Sequence, residues 1–442
     1  MLRRLALFAL IVITATAQTT VALRPPMGWN SWDSYGLTIT EPDFKANAQW
    51  FASNLKQHGW QYVVVDEGWY LTNPQAKPGQ FQFTMSTDGL YRPAVNRFPS
   101  ATQNAGFKPL ADYVHALGLK FGIHIIGGIP REAVKRDLAI AGSQFRAAEA
   151  ADPSDTCPWN ADNYGVRYTP AGQAYYDSLA KLYAGWGIDF VKVDCISAHP
   201  YKEEEIRMIS DALRKTRRPI VLSLSPGPAP LEKTNELRTQ ANMWRISDDV
   251  WDLWHHDPKI NFAQSVSDQF AVAALWARYV EPTHWPDADM LPIGFLGPHP
   301  GLGEPRPTRL THEEQRTMLT LWSIFRSPLF MGGNLTRTDE WTKSLLTNDE
   351  LIALDQRSTG GHEVSRDTKK AVWIAKDQSG HGAYVALFNL SNSPQTIEYP
   401  LQTLGFGASV QVRDIWQKRD LGQADRLKAQ LAPHDAALFY LR

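Results

Sequence analysis

The chain has almost no net charge: 45 Lys and Arg stand against 46 Asp and Glu in 442 residues. With no cationic excess to displace counterions from phosphates, a general affinity for nucleic acid or an anionic membrane is excluded. Long apolar runs are missing too. The longest, Leu5 to Ile13 after Arg3-Arg4, falls far short of the roughly 20 residues a membrane span needs. Followed by Ala15-Thr16-Ala17, it has the form of a signal peptide over residues 1–17, so the mature protein is expected to be exported; a retained N-terminal anchor is the alternative. Cysteine is scarce, with only Cys157 and Cys195. Two thiols cannot build a four-ligand structural zinc site, and in an exported chain they are expected to pair, two separate buried thiols being the other option. His255-His256-Asp257 looks metal-like, but adjacent side chains diverge on most backbones, and no metal is expected. A Gly-rich phosphate loop is also lacking, so no nucleotide cofactor is expected.

What the chain does have is a large apolar fraction, 43%, and 16 Trp beside 15 Tyr and 18 Phe. Such rings suit a thick core or the stacking of sugars. Eight short apolar runs alternate with amphipathic segments: Met27 to Trp32, Tyr62 to Trp69, Lys120 to Ile126, Asp189 to Ile196, Pro219 to Ser225, Met243 to Asp249, His284 to Leu291 and Pro328 to Leu335. Helix starts stand between them. Thr40 precedes Phe44, Ala48, Phe51 and Leu55 at helical spacing, Thr169 precedes Pro170, and Thr311 with Glu314 makes a capping box. The pattern predicts an α/β fold, a (β/α)8 TIM barrel over residues 23–340, with a doubly wound sheet as the alternative. From about 350 to 442 short runs such as Val372 to Ala375, Ala383 to Leu390 and Ala436 to Leu441 have only turns between them, which predicts a C-terminal antiparallel β-sandwich domain. The polar joint lacks a Pro- or Ser-rich linker, so the two domains are expected to pack together.

Barrel enzymes work at the C-terminal ends of their strands. Four runs end in acids: Asp66-Glu67, Asp194, Asp248-Asp249, and Asp287 with Asp289. Carboxylates in a buried mouth need partners, and Lys192 and Arg245 are at hand. Side chains alternate along a strand, so Lys192 shares a face with Asp194, and Arg245 with Ser247 and Asp249, which favours Asp249 over Asp248. Paired carboxylates with two cations and many Trp fit glycoside hydrolysis, in which one acid protonates the leaving oxygen and another attacks or activates water. Trp29, Trp32, Trp69, Trp244 and Trp285 lie beside the acids as candidate stacking platforms. A structural role for each single Asp, as a helix cap, is the competing reading; four together weaken it.

Six ordered motifs carry a resemblance: Pro26-Met27-Gly28-Trp29-Asn30-Ser31-Trp32, Asp66-Glu67-Gly68-Trp69, Lys120-Phe121-Gly122-Ile123, Lys192-Val193-Asp194-Cys195, Trp244-Arg245 through Asp249, and Trp285 to Leu291. They resemble glycoside hydrolase family 27, the α-galactosidase or melibiase family, over almost the whole mature chain. The resemblance implies a retaining exo-glycosidase with Asp194 as nucleophile and Asp249 as acid/base. It also implies Trp32 as a platform under the sugar, Asp66 as a ligand of ring hydroxyls, Lys192 beside the nucleophile and Arg245 near the 2-position. Terminal α-D-galactosides are the first expected substrate. Two departures open alternatives. Glu67 stands where the family carries a shorter Asp facing the 6-hydroxyl, which favours β-L-arabinopyranose, the same ring without C6. Small residues at Ser223 and Ser225 leave room for an acetamido sugar, as in an α-N-acetylgalactosaminidase. His124 replaces a frequent aromatic hydroxyl, and Cys195 follows Asp194 directly instead of lying one residue further on. A catalytically idle carbohydrate-binding barrel is the alternative of a different class. The expected partner is thus a small or oligomeric galactoside or arabinopyranoside, and nothing in the sequence sets an oligomeric state.

Overall fold

The computed structural model of the protein describes residues 21–260, 262–297, 304–407 and 409–442. The expected signal peptide lies outside the described residues. Eight parallel strands form one curled sheet: β1 Met27–Asn30, β2 Tyr62–Val65, β3 Lys120–Ile126, β4 Phe190–Asp194, β5 Val221–Leu224, β6 Met243–Arg245, β7 Trp285–Asp287 and β8 Leu329–Met331. Their order is β7-β6-β5-β4-β3-β2-β1-β8. The seam between β7 and β8 is closed beyond the end of β7, where the Leu291 N–H donates to the Phe330 carbonyl (2.7 Å) and the Gly332 N–H to the Leu291 carbonyl (3.0 Å). Each predicted run contains one of these strands. β2 is Tyr-Val-Val-Val and buried at every position, the composition of a strand covered on both faces. Gly28 lets β1 lie close to its neighbours: a Cβ there would sit 2.6 Å from the Phe330 ring and 2.7 Å from the Tyr62 carbonyl.

Capping residues start the helices where the sequence marks them. In α1, Glu41–Asn54, the Thr40 hydroxyl accepts from the Asp43 N–H. In α2, Pro170–Trp186, Thr169 accepts from the Gly172 N–H, Pro170 opens the first turn, and Gly187 ends the helix at φ 85°. In α3, His312–Phe325, Thr311 and Glu314 bond reciprocally. The long connection from β3 to α2 folds into a feature the sequence pattern did not show, a small three-stranded sheet of Ile129–Pro130, Ala151–Thr156 and Asn163–Val166. It stands at the C-terminal end of the barrel and carries Cys157.

After a helix, α4, Asp349–Arg357, come eight antiparallel strands: β9 Ser358–Arg366, β10 Lys370–Asp377, β11 Ala383–Asn389, β12 Gln395–Pro400, β13 Val410–Asp414, β14 Arg419–Ala424, β15 Arg426–Leu431 and β16 Ala436–Leu441. Six form one sheet, β9-β10-β11-β16-β13-β14, and β12 pairs with β15. Period-two alternation sorts the large sheet's side chains. Val372, Val385, Leu387, Phe439 and Leu441 face Ile397, Leu427 and Leu431 of the small sheet. Ala371, Trp373, Ala386, Phe388 and Leu438 join the core of the barrel. Phe388 meets Phe270 edge-on at 5.0 Å, and Arg316 of α3 reaches Asp435 at 2.5 Å, so the two units share a packed face. No helix among the described residues is long and apolar enough to cross a membrane.

Candidate active site

The acids gather at the C-terminal ends of β2, β4, β6 and β7. Asp66, directly after β2, is fixed from several sides: Asn30 Nδ2 donates to its Oδ2 (2.7 Å), its own N–H bonds Ser31 Oγ (3.0 Å), and Lys192 Nζ lies 3.7 Å from Oδ2. Burial opposes its ionisation, but the fields of His124 and Lys192 and the Glu67 N–H and Asn30 bonds hold it below the ordinary carboxyl value. Lys192 responds in kind. Burial works against its charge, and Asp66 and Asp289 hold its pKa above the usual range.

Asp194 ends β4. Its Oδ2 receives His124 Nε2 and Ser225 Oγ, both at 3.3 Å, and its Oδ1 receives the Trp159 indole N–H at 3.2 Å. Burial raises its pKa, but the His124 hydrogen bond and field outweigh that, with Lys192 and the Cys195 N–H adding to them, and the carboxyl stays below 3.8. Lys192, expected beside the nucleophile, pairs with Asp66 and lowers the Asp194 pKa through space, because His124 comes between, with Nδ1 3.9 Å from Asp66 Oδ1.

Arg245, buried to 1% exposure, organises the other side. Its Nη1 and Nη2 each lie 3.2 Å from Asp249 Oδ1, Nη2 also donates to the Ser247 carbonyl, and Nη1 is 2.8 Å from Asp289 Oδ1. Asp249 Oδ2 accepts no bond among the described residues and its side chain is 42% exposed. β6 ends at Arg245, so strand parity does not extend to Asp249. The chain turns instead, bringing residue i+4 back onto the guanidinium, while Asp248 leaves to bond His199 Nε2 at 3.0 Å.

Glu67 points its carboxyl into the same space with no hydrogen-bond partner among the described residues. Burial, then the charges of Asp194, Asp66 and Asp162, push its pKa well above 4.5. Protonation is therefore favoured at Glu67 and ionisation at Asp194, two opposite tendencies side by side.

Three further groups enter that the sequence reading did not assign. Asp289 lies at φ 81° with its Oδ2 on the Val250 N–H (2.7 Å); burial and the charge of Asp249, opposed by Arg245, push it up to about 7. Asp33 is fully buried with Oδ2 unpartnered, and burial followed by Asp289 raises its pKa well above 3.8. Trp159 is the third. Cys157 and Cys195 are bonded, with Cα atoms 5.9 Å apart, and this places the Trp two residues after Cys157 beside the Asp before Cys195. The platform expectation needs correcting accordingly. Trp29, Trp69, Trp244 and Trp285 are entirely buried, the indoles of Trp29, Trp69 and Trp285 donating to backbone carbonyls of Gly333, His124 and Ala22, so they are core. Trp32 is partly exposed at the end of β1, and Trp159, at 48%, is the one exposed Trp. His255 and His256 diverge, Nδ1 of one to Ser267 Oγ and Nδ1 of the other to the Ala263 carbonyl. No group of three or more His, Cys, Asp or Glu among the described residues could hold a metal ion.

The family model of α-galactosidase A matches residues 162–357, and that of the α-galactosidase C-terminal β-sandwich domain matches residues 367–441. Rice (Oryza sativa) α-galactosidase is 28% identical over 94% of this chain and 84% of its own, and chicken (Gallus gallus) α-N-acetylgalactosaminidase is 26% identical over 95% and 94%. The crystal structure of a family 27 β-L-arabinopyranosidase from Geobacillus stearothermophilus superimposes with a TM-score of 0.90 at 48% identity, covering 95% of this chain and 96% of that one; a variant of the same enzyme is known in complex with arabinose. Nearly half of all residues are thus shared with a family 27 enzyme from end to end, and this chain belongs to glycoside hydrolase family 27, the α-galactosidase or melibiase family, as a glycoside hydrolase.

Proposed function

We propose that the enzyme is a retaining exo-glycosidase that releases terminal β-L-arabinopyranosyl residues and accepts α-D-galactosides as slower substrates. The observation that carries the choice is Glu67. Its longer side chain puts an unpartnered carboxyl, with its pKa raised by burial and by Asp194, into the sugar pocket beside Asp194. An arabinopyranose leaves room for that head, whereas a galactose must find space for its hydroxymethyl as well. The 48% identity with a β-L-arabinopyranosidase supports the same direction. Ser225 is 1% exposed with its hydroxyl bonded to Asp194, which supports a role beside the nucleophile more than an acetamido space.

The chemistry divides between two carboxyls. Asp194, ionised and oriented by His124, Ser225 and Trp159, attacks the anomeric carbon and forms the glycosyl-enzyme. Asp249 is gripped at Oδ1 by Arg245, which leaves Oδ2 to carry the proton to the leaving oxygen and later to take one from water. Trp32 and Asp66 bind the sugar ring. All these groups come from barrel strand ends and the loops that follow them, so catalysis belongs to the barrel and not to the C-terminal sheets. The Arg-Arg-led N-terminus and the disulfide support action outside the cytoplasm.

The test is kcat/KM on nitrophenyl β-L-arabinopyranoside, α-D-galactoside and α-N-acetylgalactosaminide. The first should be the best substrate. A faster galactoside would return the assignment to α-galactosidase, and full activity in Asp194→Asn would remove the nucleophile.

A further inference from the structure

Trp159 has no role in folding that explains its position. Of the sixteen Trp it alone is exposed, while its neighbours on the loop are small or polar: Pro158, Asn160, Ala161 and Asp162. Leaving half an indole in water forgoes the burial that the other Trp obtain. Two covalent and non-covalent ties nevertheless fix it. The disulfide binds its loop to the residue after Asp194, and its N–H donates to Asp194 Oδ1 at 3.2 Å.

The other face of the mouth is tied to it. The His199 ring stands edge-on to the Trp159 indole, centroids 6.2 Å apart at 84°. His199 Nε2 in turn bonds Asp248, the residue before Asp249, and the imidazole is itself 47% exposed. An aromatic arch therefore runs from Asp194 to Asp248, the chain neighbour of Asp249. A leaving group must cross this interval, since it departs from the carbon Asp194 attacks carrying the oxygen Asp249 protonates.

We infer that Trp159 and His199 form an aglycone subsite, with the exposed indole as a platform for a ring in the leaving group, a pyranose or an aryl, and with the Cys157–Cys195 disulfide as the tether that holds the platform. This rests on Asp194 and Asp249 being the catalytic pair, but not on which sugar is cleaved. A pyranose presents a face of C–H groups and an aryl a π-face, and both stack on indole; a fluoride ion has no face to offer. The subsite should therefore select between substrates that share a glycone and differ only in what leaves.

The experiment compares kcat/KM for the nitrophenyl glycoside and for the glycosyl fluoride of whichever glycone the wild type prefers, in wild type, Trp159→Ala, Trp159→Phe and Cys157→Ser. In Trp159→Ala the ratio of nitrophenyl glycoside to fluoride should fall roughly three- to tenfold, the range expected for one lost ring stack. Trp159→Phe keeps a ring but removes the N–H and should hold most of the ratio, while Cys157→Ser should lower it as Ala does. If Trp159→Ala slows both substrates by the same factor, the indole acts only on Asp194 and the subsite is overturned. An unchanged ratio with unchanged rates overturns it as well. A wild type that cleaves neither compound would instead refute the proposed hydrolase mechanism, so the two failures are distinct.

Discussion

Replacing Glu67 with Asp withdraws the carboxyl by one methylene, about 1.5 Å of chain, and leaves the charge type unchanged. The wild-type head is buried among Asp194, Asp66 and Asp162 and has no protein partner to pull it aside. A hydroxymethyl group brought to the same place must displace it or be displaced. In a packed pocket, accommodating one surplus methylene costs about 1 to 3 kcal/mol, which corresponds to a roughly 5- to 150-fold handicap for galactose relative to arabinopyranose. Glu67→Asp should return that handicap, so the galactoside-to-arabinopyranoside ratio of kcat/KM should rise at least about fivefold. Glu67→Gln separates size from charge. Burial and the neighbouring anions push the wild-type acid towards its protonated form, and Gln has the same length without a charge, so its ratio should stay near wild type. Two results would refute the reasoning: an Asp variant whose ratio does not rise, or a Gln variant whose ratio rises as far as that of Asp.

Two further expectations concern protons. His124 supplies the largest influence holding the Asp194 carboxyl below 3.8, so His124→Phe should move the acid limb of the kcat/KM profile to higher pH, while loss of activity with no movement of that limb would assign His124 to substrate contact alone. Asp355, far from the acids at the end of α4, has an unpartnered Oδ1, and burial, opposed by the Gln356 bond and Arg326, raises it to about 8. With the folded value above the unfolded one, the folded state holds the extra proton between about pH 4 and 8, so stability falls as pH rises through that window, by up to about 5 kcal/mol. Asp355→Asn should therefore gain on wild type in urea midpoint from pH 5 to pH 8; a difference that does not change with pH would refute this.

The barrel was legible because each strand is a short apolar run and each major helix begins at a recognisable cap, and both signals are local. The edge strands of the C-terminal unit were not. Ser358–Arg366, Arg419–Ala424 and Arg426–Leu431 are mostly polar and largely exposed, and their pairing is set by partners distant in sequence. The same division separates the site residues. Asp66, Glu67, Lys192, Asp194 and Arg245 lie within two residues of a strand end, where the pattern points at them directly. Asp249 was selected by a parity that its strand does not reach, and it belongs to the site because a turn folds it back onto Arg245. Indoles misled because nearness to an acid in sequence does not fix which way a ring points, and four of the five candidates are turned into the core.

Trp159 shows how far pattern reading can be extended by one covalent fact. Nothing in Cys157-Pro158-Trp159 marks a site, and the segment lies in a connection with no strand or helix periodicity. Yet the pairing of Cys157 with Cys195, 38 residues apart, makes neighbours of whatever flanks each cysteine. Cys195 sits immediately after Asp194, so the loop bearing Trp159 is brought to the carboxylate itself. Cys195 lies just past the end of β4 at φ 59°, so a second cysteine one residue further on, as in the family pattern, would anchor the loop at a different point of that turn. The shift of one residue and the exposed indole are therefore parts of one arrangement, and the rim of this enzyme should differ from that of its α-galactosidase relatives even where the sugar pocket is shared.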